Sequence, residues 1–171
     1  MALIEKNSIH DLDEIAKYNL GALLSGGGAG PKEDTPQAWL SMINAFQDQT
    51  QNTCLKIPLL YGIDAIHGHA NVLGATVFPH AIGLAAANDP LLTGAVARAT
   101  AEEMAATGIY WNFSPSLDLP EDIRWGRVYE SFGSDPKVAA EHGVAYVRGL
   151  QAASIPVLST VKHYVGLGAL Q

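Results

Sequence analysis

The chain is 171 residues long, the length of one domain with room for a real core. Hydrophobic residues make up 48% and charged residues 16%, the balance of a soluble globular protein rather than a disordered segment. Ten Lys and Arg stand against seventeen Asp and Glu, for a formal net charge of -7. No basic run offsets that charge, so phosphate backbones are repelled and nucleic acid is excluded as an expected partner.

Cys54 is the only cysteine, so neither an intrachain disulfide nor a Cys-based zinc site is expected. The opening Met1-Ala2-Leu3-Ile4-Glu5-Lys6 lacks the basic stretch and apolar core of a signal peptide. No apolar run approaches the roughly 18 residues that a membrane span needs, so no membrane partner is expected.

Taken in order, four short apolar, β-prone runs predict strands at 21–24, 58–63, 109–113 and 157–161. Between the first two, residues 36–53 place Trp39, Met42, Ile43 and Phe46 at helical spacing. Asp89-Pro90 opens a second helix, with Asp as cap and Pro in the first turn, and Leu92, Val96 and Met104 as its apolar positions. Asp135-Pro136 opens a third in the same way, with Val144, Val147 and Leu150 following at intervals of three. Alternation of strand and helix predicts parallel βα units, α/β in class. Two architectures fit: an open doubly wound sheet, or about half of a (β/α)8 barrel. The polar residues that follow the runs (Asp64, then Arg124 and Arg127, then Lys162 and His163) favour the barrel, whose sites lie at the C-terminal ends of its strands. Half a barrel leaves two open edges.

Gly26-Gly27-Gly28-Ala29-Gly30 is not a phosphate cradle. It neither matches G-x-G-x-x-G opening a helix nor leads into a Lys-Ser/Thr pair. His67 and His69 form an H-x-H pair that would share one face of a strand. After Gly62, however, the stretch reads as a turn, and a metal site is not expected. Asp118, Glu121, Asp122 and Glu130 cluster after the third run and read as an ion-pair network around Arg124 and Arg127.

Four strings occur in order: Tyr61-Gly62-Ile63-Asp64-Ala65-Ile66-His67-Gly68-His69, Phe78-Pro79-His80, the run from Arg124-Trp125-Gly126-Arg127 to Asp135-Pro136, and Lys162-His163-Tyr164. Together they resemble the family 3 glycoside hydrolases over nearly the whole chain. The resemblance implies the N-terminal part of a (β/α)8 barrel, here residues 1–171, from a retaining β-glucosidase-like enzyme. It implies that Asp64, Arg127, Lys162 and His163 bind the hydroxyls of a β-linked glucoside or oligosaccharide. The chemistry suits them: a carboxylate accepts from vicinal hydroxyls, while Arg and Lys donate charge-assisted bonds to their oxygens. Such bonds can tighten as the ring flattens toward the transition state.

His67, His69, Arg124 and Glu130 are expected to support those four from behind. A retaining glycosidase needs two carboxyl groups about 5–5.5 Å apart. The resemblance implies that the nucleophile lies later in the barrel and the acid/base in a following domain, both beyond Gln171, with no metal or cofactor. The family typically continues Lys-His into Gly-Asp-Gly, whereas this chain has Gly166-Leu167-Gly168. No His follows His163, which favours the glucosidase-like branch over the β-N-acetylhexosaminidases. Two other readings stand beside this one: a non-catalytic half-barrel that binds sugar or self-associates through its open edges, and a metal-dependent barrel hydrolase using His67, His69 and His80.

Overall fold

The computed structural model describes residues 3–164 and 167–168. Five parallel strands form one sheet: β1 Leu3–Glu5, β2 Ala22–Ser25, β3 Leu60–Ile63, β4 Trp111–Asn112 and β5 Leu158–Ser159. Each strand pairs with the next in chain order, for instance Leu23 with Tyr61 and Ile63 with Asn112. A doubly wound sheet would reverse its order at a switch point, whereas a sheet that winds one way closes toward a barrel. The barrel alternative is therefore the one adopted. One strand was not expected. β1 is three residues long, too short for alternation to mark it, yet it pairs Leu3 with Ala22 and Ile4 with Leu23.

The helices are α1 Glu14–Lys17, α2 Pro36–Thr50, α3 Ala81–Ala86, α4 Pro90–Ala106 and α5 Pro136–Gln151. Their starts follow local chemistry. The Thr35 hydroxyl accepts from Ala38 N at 3.3 Å, the Asp89 carboxylate from Leu91 N at 2.9 Å, and the Asp135 carboxylate from Lys137 N at 2.8 Å, each just ahead of a Pro. On α2 the expected face is the buried one: Trp39, Ile43 and Phe46 enter the core beside Leu23, Tyr61 and Ile63.

On α4 and α5 the apolar spacing pointed only partly to the buried face. Val96, Met104 and Leu150 are buried as expected, but Leu92 and Val144 lie exposed, and α4 buries Thr93, Ala97, Thr100 and Ala101 as well. The reason is close packing of the two helices. A Cβ on Gly149 would sit 2.2 Å from the Gly94 carbonyl oxygen and 2.8 Å from the Ala97 Cβ. Only small side chains fit between backbones that near, so the larger apolar residues are displaced to the flanks.

No helix among the described residues is long and apolar enough to cross a membrane. Among those residues, the outer edges of β1 and β5 carry no strand partner.

Candidate functional site

The site begins where β3 ends. Asp64 directly follows Ile63, and the next peptide is clamped by a side chain from β4. The Asn112 Oδ1 accepts from Ala65 N at 3.1 Å, and its Nδ2 donates to Ala65 O at 3.0 Å. The Tyr146 hydroxyl of α5 donates to the same carbonyl at 3.2 Å. Burial pushes that hydroxyl up to about 12, which keeps it a donor. Asn112 and Tyr146 are both buried, so the loop that carries Asp64 is fixed from beneath.

β5 delivers the second part. Past Ser159 its direction is continued by a bridge between Ser116 and Lys162. Lys162 N donates to Pro115 O at 3.0 Å, and Leu117 N donates to Lys162 O at 2.6 Å. These bonds bring the Lys162 Nζ within 2.6 Å of the Asp64 Oδ1. His163 turns its ring the other way. Its Nδ1 lies 2.7 Å from the Asp118 Oδ2, and its backbone N donates to the Asp118 Oδ1 at 3.2 Å. The loop after β4 supplies Arg127, which grips Glu130 through Nε at 2.7 Å and Nη2 at 2.6 Å, with Nη2 also 3.3 Å from the His163 Nε2.

The charges hold one another in place. The bidentate bond to Glu130 raises Arg127 above its ordinary value despite burial, and the same bond holds Glu130 below the usual carboxylate range. Burial alone would raise Asp118. The bonds it accepts from the Ser116 hydroxyl at 2.6 Å and from His163 outweigh that effect and leave it lowered.

Asp64, Lys162, His163 and Arg127 thus lie in one neighbourhood beyond the C-terminal ends of β3, β4 and β5. The four supporting residues divide. Glu130 grips Arg127. His67 lies against His80 with ring centroids 4.1 Å apart and the planes tilted by 40°, and His80 meets the edge of Tyr129 at 4.6 Å. Arg124 instead faces solvent, its side chain 88% exposed, and pairs with Asp122. His69 is drawn into the core, where its Nε2 lies 2.9 Å from the Thr107 hydroxyl and its ring lies edge-on to Trp39. Gly68, at φ 94, makes that turn, and a Cβ there would meet the Thr76 carbonyl oxygen at 2.0 Å. The H-x-H pair is therefore split, and among the described residues no three metal-ligating side chains converge. Gly166 lies outside the described residues. Gly168 packs under Trp125.

Sequence reasoning missed Asn112 and assigned Asp118 to the wrong partner. Asp118 belongs to His163, not to the arginines. The available signal was an isolated acid, two residues after a serine, within the apolar run Leu117-Asp118-Leu119-Pro120.

Basic and acidic side chains gathered past the strand ends of a one-way parallel sheet are the arrangement of a (β/α)8 barrel enzyme. The chain belongs to glycosyl hydrolase family 3: residues 2–171 match the Glycosyl hydrolase family 3 N terminal domain. It is 39% identical over 164 residues to the lysosomal beta glucosidase of Dictyostelium discoideum, a match covering 87% of this chain and 20% of that protein. The exo-1,3/1,4-beta-glucanase of a Pseudoalteromonas species superposes with a TM-score of 0.91 at 35% identity, over 99% of this chain and 23% of that one. The beta-glucosidase of Listeria innocua in complex with isofagomine superposes at 0.78 and 27% identity, over 99% of this chain and 24% of that one. The chain spans about a fifth of the length of the curated relatives it matches.

Proposed function

We propose that this domain supplies the sugar-gripping side of a β-glucosidase-like active site, with the nucleophile and the acid/base contributed from outside these 171 residues. The observation that carries the reading is the meeting of two pairs at the strand ends, Asp64 with Lys162 at 2.6 Å and Arg127 with His163 at 3.3 Å, joined by the adjacency of Lys162 and His163. Two cations and a carboxylate in one place match the donors and acceptors of neighbouring sugar hydroxyls.

Four of the acids around the strand ends are already engaged: Asp64 with Lys162, Asp118 with His163, Asp122 with Arg124 and Glu130 with Arg127. A nucleophile must instead be free to reach the anomeric carbon. Pure chain is expected to hydrolyse an aryl β-glucoside at no more than background rate, and to bind isofagomine. Asp64→Asn is expected to weaken that binding by about 10–100-fold, the worth of a charge-assisted hydrogen bond. Robust turnover by the pure chain would overturn the placing of the catalytic groups. Binding indifferent to Asp64→Asn would overturn the site.

The unpaired edges of β1 and β5 favour one further reading, pairing with a second copy or with further strands. Light scattering on the purified chain is expected to give a mass that rises with concentration. A constant monomer mass would dismiss self-association.

A further inference from the structure

We propose that Asp118 is a positioning residue that fixes the His163 ring with a proton on Nδ1, so that Nε2 turns a lone pair toward the site. Two independent neighbours of the ring lead to the same tautomer. On one side stands the Asp118 carboxylate, with no side-chain exposure to solvent. Its oxygens are surrounded by donors: the Ser116 hydroxyl at 2.6 Å, the His163 backbone N–H at 3.2 Å and the His163 Nδ1 at 2.7 Å. An ionised carboxylate only accepts, so Nδ1 carries the hydrogen. On the other side, the Arg127 Nη2 stands 3.3 Å from Nε2. A guanidinium only donates, so Nε2 must accept. A hydrogen on Nε2 would set donor against donor.

The consequence for recognition rests on the reading given above. His163 then joins Asp64 as an acceptor, while Lys162 and Arg127 are donors. A hydroxyl that takes the place of the Arg127 Nη2 at Nε2 must give its hydrogen, which a fluorine or a methoxy group at that position cannot do.

The tautomer can be read without any sugar, so its failure is separate from failure of the sugar-binding reading. The chain is labelled with nitrogen-15 histidine, and the ring is assigned by the signal lost in His163→Gln. At neutral pH, long-range proton–nitrogen correlation is expected to show a protonated Nδ1 and a bare Nε2. The Hδ1 proton is expected far downfield, as a carboxylate acceptor requires. In Asp118→Asn the Nδ1 proton loses its carboxylate acceptor while Arg127 still faces Nε2, so the proton is expected to stay on Nδ1 and its resonance to move upfield toward that of a free imidazole. A protonated Nε2 in the unsubstituted chain would overturn the proposal, as would an unmoved Hδ1 resonance in Asp118→Asn. Should that variant not fold, the unsubstituted chain still decides. A Hδ1 resonance at the position of free imidazole would remove Asp118 from its role.

Discussion

Replacing Trp39 with Ala is expected to lower the unfolding free energy by about 3–5 kcal/mol, a large share of what a domain of this size possesses. Trp39 is 1% exposed and projects from α2 into the core. One edge of its ring closes over Gly30, where a Cβ would lie 2.8 Å from the Trp39 Cζ2. His69 meets it edge-on from the loop beyond β3, with ring centroids 6.0 Å apart. The indole therefore ties α2 to the loops after two neighbouring strands, and no small side chain can span that gap. Trp39→Phe separates volume from polarity. It keeps an aromatic ring and removes an Nε1–H that is buried without a partner, so its cost is expected to stay below about 1.5 kcal/mol. Urea denaturation followed by circular dichroism measures both. Equal midpoints for the two variants would show that the loops do not lean on this ring.

The same region shows what could be read in advance and what could not. α2 was legible because one helix face meets one sheet face, and apolar spacing reports that directly. α4 and α5 were legible in their starts but only partly in their buried faces, since Val96, Met104 and Leu150 are buried while Leu92 and Val144 are not. Their contact is made by Gly94, Ala97 and Gly149, and a search for large apolar residues passes over a surface made of absences. β1 escaped for a related reason, since three residues are too few for a period.

At the site, Asp64, Arg127, Lys162 and His163 stood out through the motifs that resemble family 3, supported by their place after the apolar runs. Their supports depend on partners far away in sequence. Asn112 clamps Ala65 across 47 residues, and Asp118 meets His163 across 45. Spacing along one segment cannot reveal a bond made between two. His69 misled in the opposite sense, since its two-residue offset from His67 suggested a shared face. Gly68 turns the chain between them and sends one ring toward His80 and the other into the core.

That buried ring gives the fold a specific weakness in acid. Between pH 6.5 and about 4 the chain is expected to lose about 3 kcal/mol of stability through His69 alone. Burial pushes the His69 imidazole down to about 4, and its Nδ1 has no partner to receive or stabilise an added proton. In the unfolded chain the same ring titrates near 6.5. Within that window the unfolded state binds the extra proton, so stability falls as pH falls; below about 4 both states are protonated and this loss is complete. His80, lowered first by its own burial and then by His67, adds to the decline. Asp118 and Glu130 act further down. Both are held below the usual carboxylate range, so their contribution is present above the unfolded carboxylate value and disappears only as pH falls through their folded values. His69→Gln can keep a bond to the Thr107 hydroxyl and cannot charge. Across the window its stability is expected to decline by about 3 kcal/mol less than that of the unsubstituted chain, as read from urea midpoints near neutrality and near pH 4. Parallel declines would mean that the native state takes up the proton and that the ring is not sealed.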